Sequence, residues 1–477
     1  MRILAVTGRL AEEDVRRSLA GIGADVLVLD LDVAAFITPK MLMEAHPKGF
    51  DLILIPGAVS ADFSRAEEVL GSKIRLGPKH AVDLGAVVEH VDEVELSKTI
   101  PACVLMAERI ASEAKALIGR LESSAGSVLS LRGVKIGGSS RMKVLAEIVD
   151  ATRLDSLGLI SRIEYYESQG ADMIDLGIPL DAGAGEVARA VKIARGATSL
   201  PVSVDTISSE LILAGVEAGA EMVLSLEGRN LPVAGPALAR AGIPAVVIPG
   251  PGTLEENLAS ALSMGIDTIA DPVLDPPLQG MASSLLSFYR FRKAYSDMPL
   301  FFGVGNVTEL LDADSTGANA LLAAIGAELG ASILFTPEYS DKARGSVREL
   351  RIASEMMALA QARKSPPKDL GLDLLMLKEK RRRPNDRDPG PHEEATSAHS
   401  WEKDPAGSFV IGIANGQIRV RGRGLALAGK SARDLLNTLI DRGSVTRLDH
   451  AGYLGRELAR AEIALQQGRS YCQDDRF

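Results

Sequence analysis

Apolar positions in this chain come in short runs, separated by longer stretches in which they recur with a helical period. Between 131 and 362 the alternation is regular. Runs at 144–149, 173–176, 202–204, 222–226, 245–248, 268–270, 300–302 and 332–335 read as buried strands. The stretches 157–168, 185–194, 208–217, 254–264, 283–295, 317–329 and 347–359 read as helices between and after them. Eight consecutive β/α units predict an α/β fold with a (β/α)8 TIM barrel; an open doubly wound sheet is the structural alternative. Ahead of it, strands at 3–6, 26–29 and 52–55 with a helix over 12–19 predict an open α/β layer, flavodoxin-like in rhythm. Behind it, 409–420 predicts a hairpin turning at Asn415-Gly416, followed by helices over 432–440 and 454–467. The expected division is an N-terminal open α/β domain over 1–125, the barrel over 130–363, a linker over 364–407 and a small α+β module over 408–477.

Composition narrows the classes. With 477 residues the chain is too long for one ordinary core, and with 46% hydrophobic residues burial is not limiting. Only 4% aromatic residues beside 46 glycines suit an aliphatic α/β protein with many tight loops. A formal charge of −10 argues against nucleic acid held on a basic surface and favours small-molecule partners. Arg381-Arg-Arg-Pro384 lies among acids and breakers and reads as part of a solvated tether. Cys103 and Cys472 lie far apart and offer neither a disulfide framework nor a metal knuckle, so a reducing cytoplasm is expected. No run approaches the roughly 18 apolar residues of a membrane span. A homodimer is compatible with all of this.

The chemistry lies at strand ends. In a barrel of this type the reacting groups sit where strands run out into the following loops. There the chain places Glu147 and Asp150, then Asp175, Asp205, Ser225 with Glu227, Asp271 with Asp275 beyond it, Asn306, and Thr336 with Glu338. A carboxylate closing a buried strand must find donors or metal. Such a ring suits a planar ligand with several N–H donors, for which a 2-amino-4-oxo heterocycle fits. It equally suits Mg2+ bound through carboxylates and phosphate oxygens, with Glu147 or Asp150 as ligands. The residues do not divide the acids between these roles, and the plain alternatives are a helix cap at Asp205 and a turn at Asp271-Pro272. Lys342, Arg344 and Ser346 follow the last strand, where barrels commonly bind phosphate; a surface helix start is the alternative. Thr7-Gly8-Arg9 reads as an ordinary turn rather than an anion site, and His450 as a cap or a packed ring.

The stretch Gly170-Ala-Asp-Met-Ile-Asp175-Leu-Gly177, with Ser203-Val-Asp205-Thr206 and Asp271-Pro272, resembles the second, third and sixth strands of the pterin-binding barrel family. That family includes dihydropteroate synthase and the folate- or methanopterin-dependent methyltransferases. The three-part layout, with the tail motif that begins Asp449-His450, is most similar to dihydropteroate synthase-related proteins of organisms that use tetrahydromethanopterin. The resemblance implies that Asp205 and Asp271 bind the pterin ring, with Asp175 near it. It implies condensation of a dihydropterin-6-methyl diphosphate with an arylamine, plausibly a ribofuranosyl-aminobenzene phosphate, with Mg2+. The chain departs from the synthase pattern in two places. Leu224-Ser225 stands where a synthase has asparagine, and Gly303 to Asn306 where it has a Ser-Arg-Lys motif. Asn306 is closer to the methyltransferase pattern, so a methyltransferase subunit and a non-catalytic pterin scaffold are the alternatives.

Overall fold

The fold is that of a computed structural model, which describes residues 1–378, 393–395, 402–422 and 424–475. They fall into two compact units, Met1–Leu374 and Leu375–Phe477. Among the described residues no helix is long and apolar enough to cross a membrane.

The first unit begins with four parallel strands, β1 (Ile3–Thr7), β2 (Ala24–Val28), β3 (Leu52–Ile55) and β4 (Lys73–Leu76), in the order β2-β1-β3-β4. Leu4, Val6, Ile53 and Ile55 pack into one core, while Ile3, Ala5, Leu52 and Leu54 pack into another. Strands covered on both faces show unbroken apolar runs, which is why these were visible in the sequence. Strand β4 was not, because it lies at the sheet edge and interleaves the exposed Lys73 and the Glu67-paired Arg75 with its apolar residues. At the first turn, a Cβ on Gly8 would lie 2.8 Å from the Asp32 carbonyl oxygen, and Arg9 pairs with Asp30 and Asp32. Close packing and internal pairing explain that turn without an anion.

The helix Ala102–Ser124 joins the two layers: Ala102 and Met106 belong to the sheet's core, Ala114 and Ile118 to the barrel's. A hairpin of β5 (Leu129–Leu131) and β6 (Val134–Ile136) follows. The barrel strands are β7 (Lys143–Ile148), β8 (Met173–Gly177), β9 (Val202–Asp205), β10 (Met222–Leu226), β11 (Ala245–Val247), β12 (Thr268–Ala270), β13 (Phe301–Gly303) and β14 (Ile333–Pro337). They form one parallel sheet in the order β12-β11-β10-β9-β8-β7-β14-β13. Its two ends meet where the Ala270 amide donates to the Pro299 carbonyl at 2.9 Å and Ala270 bridges to Leu300. The closed barrel replaces the open-sheet alternative.

Alternation along each strand sorts the side chains. Val144, Ala146 and Ile148 face the surrounding helices, whereas Leu145 points inward with Met173, Leu224, Val246, Ile269 and Phe301. The hairpin closes this interior from below: Ile136 is fully buried against it, with Leu129, Leu131 and Val134 alongside.

Past the helix Ser346–Arg363, where a linker was expected, Leu370, Leu372 and Leu374 pack against the barrel's outer core. A Cβ on Gly371, at φ +89°, would meet the Ile110 carbonyl at 2.7 Å, so only glycine passes there. Most of the expected tether, including Arg381-Arg-Arg-Pro384 and Pro389-Gly-Pro391-His392, lies outside the described residues.

The second unit holds an antiparallel sheet of β15 (Phe409–Ala414), β16 (Gln417–Gly422) and β17 (Leu425–Gly429), and the helices Ala432–Asp441 and Leu448–Gln466. Asn415 and Gly416 take positive φ, 52° and 66°, as the tight hairpin turn requires. His450 is a packed ring, stacked between Phe409 and Tyr453 with Nδ1 2.9 Å from Asp404. Asp404 also accepts the amides of Ala406, Thr446 and Arg447, so the pair ties the start of the last helix to the sheet.

If the hairpin is the barrel's floor, Ile136→Ala should lower stability by about 2–4 kcal/mol. Val128→Ala, at a half-exposed neighbour, should change it by no more than about 0.5 kcal/mol. Thermal or denaturant unfolding of the two variants checks this; equal effects would refute the floor assignment.

Candidate functional site at the barrel mouth

Strand register assembles the site. Glu147 on β7 lies opposite Asp175 on β8, and Asp175 opposite Ser203 on β9; one step higher, Gly177 lies opposite Asp205. Residues two apart share a face, so all of these look into the barrel above its apolar interior. Glu147 fits because position 177 has no side chain: a Cβ there would lie 2.5 Å from Glu147 Oε1. One carboxylate oxygen from each of Glu147, Asp175 and Asp205 lies within 4.8 Å of the others. Asp175 is fully buried; the Ser203 hydroxyl donates to its Oδ1, while its Oδ2 has no hydrogen-bond partner. Asp271 follows β12, with Oδ1 accepting the Val273 amide at 2.8 Å.

The electrostatics follow from the apolar interior beneath. Burial raises every one of these acids, because it penalises the charged form. Glu147 is pushed up to about 8, by burial first and then by Asp205, Glu309 and Asp150. Burial lifts Asp205 to about 7. Asp271 also reaches about 7, through burial and the nearby Asp205, against the opposing Val273 hydrogen bond. Asp175 stands well above the usual carboxylate range through burial and the charges of Asp205 and Glu147, which outweigh the Ser203 hydrogen bond. Every neighbouring charge that moves these four groups is itself acidic. In this apolar setting the four carboxyl groups favour their protonated forms.

The remaining candidates sit around this cluster or away from it. Asp150 takes a left-handed conformation at φ 52° and pairs with Arg153 at 3.2 Å, outside the three-carboxylate group. Ser225 and Glu227 close β10. There the buried Asn230, which sequence reasoning missed, accepts the Glu227 amide and donates to the Ser225 carbonyl. Glu227 Oε2 packs where a Cβ on Gly250 would stand, 2.5 Å away. Asn306 is exposed, and its amide donates to the Leu274 carbonyl at 2.9 Å.

After β14 the positive charges are partly spent within the protein. Lys342 pairs with Asp312 at 2.7 Å, Arg344 is exposed, and Ser346 is fully buried with its hydroxyl accepting from Asn319. Glu338 accepts from the Tyr165 hydroxyl at 2.8 Å and from the Val347 amide at 3.0 Å. It thus occupies, at the start of the helix Ser346–Arg363, the place a phosphate oxygen would take. Ser203 is a further site residue that strand-end acids alone do not reveal; its signal is its position two residues before Asp205 on the same strand face.

A cavity of about 240 Å³ beside the barrel floor carries no comparable group. Its Arg292 donates to the main-chain carbonyls of Leu329, Tyr295, Ser296, Met298 and Gly330, a structural role.

Residues 403–474 match the PterinBD-DUF4346 family. The chain is 37% identical to the uncharacterized protein MJ0107 of Methanocaldococcus jannaschii, over 99% of this chain and 98% of that one. Among solved structures it is similar to Yersinia pestis dihydropteroate synthase with a pterin-sulfa conjugate, at 19% identity, TM-score 0.40, 49% of this chain and 98% of that one. It is also similar to Thermus thermophilus dihydropteroate synthase, at 20% identity, TM-score 0.38, 45% of this chain and 92% of that one. The chain belongs to the family of the uncharacterized protein MJ0107 of Methanocaldococcus jannaschii.

Proposed function

We propose that the barrel mouth binds a pterin and joins a dihydropterin-6-methyl diphosphate to an arylamine of the ribofuranosyl-aminobenzene phosphate class, in tetrahydromethanopterin- or folate-type cofactor synthesis. The observation that carries this is the acid-only, buried cluster with its unpartnered Asp175 oxygen. A 2-amino-4-oxo ring offers N–H groups along one edge, and Asp205 and Asp271 accept them. Asp175, Ser225, Glu227 and Asn306 surround the ring and its substituent. Lys342, Arg344 and Ser346 follow β14, and a phosphate bound there would have to displace Asp312 from Lys342 and Glu338 from the Val347 amide.

In the reaction the bond from the exocyclic carbon to diphosphate breaks, and the leaving group takes the electron pair. The amine lone pair forms the new carbon–nitrogen bond, and the amine proton passes to solvent or to the departing diphosphate. No protein nucleophile takes part. Carboxylates facing the ring stabilise the positive charge that develops as diphosphate departs. The donors present are hard oxygens, which fit Mg2+; bound with the diphosphate, it would supply charge neutralisation.

The deciding experiment incubates the protein with the pterin diphosphate, the arylamine phosphate and Mg2+, and measures diphosphate. Release should require the amine and fall at least about a hundredfold in Asp205→Ala. Pterin binding without release would support a scaffold instead, and methyl transfer from a methylated pterin would support the methyltransferase reading. Loss of one charged hydrogen bond in Asp271→Asn should weaken pterin binding roughly ten- to a hundredfold.

The raised pKa of Asp271 carries its own signature. A carboxyl raised from about 4 when unfolded to about 7 when folded holds its proton more tightly in the folded chain, so stability declines as pH rises through that window. The stability of ligand-free Asp271→Asn relative to wild type should therefore rise between pH 5 and pH 8, by on the order of 2 kcal/mol. A pH-independent difference in melting temperature would show that Asp271 is not buried as described.

A further inference from the structure

If the mouth is the reaction site, its acids need not all serve the ring. We propose that Glu147, Asp175 and Asp205 form a resident site for a divalent cation of the Mg2+ or Mn2+ class, assembled before any substrate arrives, while Asp271 is left to the heterocycle. The three residues come from adjacent strands, β7, β8 and β9, and register sets Glu147 directly opposite Asp175. One oxygen of each lies within 4.8 Å of the others, close enough for one ion to touch all three. A flat ring presents donors along an edge; an ion asks for convergence. Around Mg2+ with bonds of about 2.1 Å, neighbouring oxygens lie about 3 Å apart and opposite ones about 4.2 Å, so small side-chain rotations close the site. The donors are all carboxylate oxygens, which select Mg2+, Mn2+ or Ca2+ over zinc.

Asp175 supplies the independent sign of a ligand. It is fully buried, Ser203 fixes its Oδ1, and its Oδ2 meets no donor. Ser203 thus orients a ligand from outside the coordination sphere, as the partners of metal-binding carboxylates commonly do. Gly177 does the corresponding service for Glu147, since any Cβ there would intrude to 2.5 Å from Oε1. The nearby Asp150 and Glu309 add negative field without joining the set: Asp150 pairs with Arg153, and Glu309 accepts the amides of Tyr339 and Ser340. With one Asp205 oxygen on the ion, its other oxygen remains free for a ring N–H. Positions on the ion not taken by protein are open to water and phosphate oxygens, which brings the leaving group of the proposed reaction beside the ring.

The test titrates the metal-free full-length protein with Mn2+ in the absence of pterin, reading bound and free ion by electron paramagnetic resonance. Wild type should take up one saturable Mn2+ per chain, displaced by excess Mg2+. Glu147→Gln and Asp175→Asn should weaken binding at least tenfold. Gly177→Ala removes no ligand but evicts Glu147, and should weaken binding as well, with an unchanged melting profile. Asp150→Asn and Asp271→Asn should bind Mn2+ within twofold of wild type, although Asp271→Asn loses affinity for pterin. Absence of saturable uptake by wild type, or wild-type affinity in both Glu147→Gln and Gly177→Ala, would overturn the assignment even if pterin binds. Mn2+ uptake without any pterin binding would instead sink the pterin reading alone.

Discussion

Four carboxyl groups set above an apolar barrel interior are the constraint around which the molecule is organised. Two unit charges 4.8 Å apart repel by roughly 3 kcal/mol at the effective dielectric of a protein site, and among the described residues no basic side chain counters those of Glu147 and Asp175. A fold can retain such a cluster only if much of its stability comes from elsewhere. In this chain it comes from the layer between strands and helices and from the aliphatic barrel interior below. Gly177 and Ser203 then tune the positions of the acids by ångströms. Burial of these acids favours their protonated forms over the charged ones.

Most of the barrel was legible in the sequence because its strands are apolar on both sides. Val202 to Val204 is a short run, yet Pro201 before it and Asp205 after it mark its ends. Helix Leu231–Ala241 is harder to see, since Pro236 interrupts its period. Strands β4 and β17 escaped notice for the reason edge strands do, mixing polar or small residues into a run that need satisfy only one neighbour.

The site was legible in kind but not in arrangement. Each strand announces its own terminal acid, so Asp175, Asp205 and Asp271 stood out one by one. That Glu147 stands opposite Asp175 is a matter of register between two strands, which neither strand encodes by itself. Long-range pairing is invisible for the same reason. Lys342 looks free in the sequence, but Asp312 reaches it from the preceding loop at the mouth. Glu338 looked like one more acid in the ring, until the Val347 amide and the Tyr165 hydroxyl proved to hold it.

The hairpin beneath the barrel has a consequence for traffic. Ile136 and its neighbours fill the lower end of the barrel, so among the described residues the acids open at the upper end. In the proposed condensation two reactants and two products would share that opening and would have to queue: what enters last would shield what entered first, and departure would reverse that sequence.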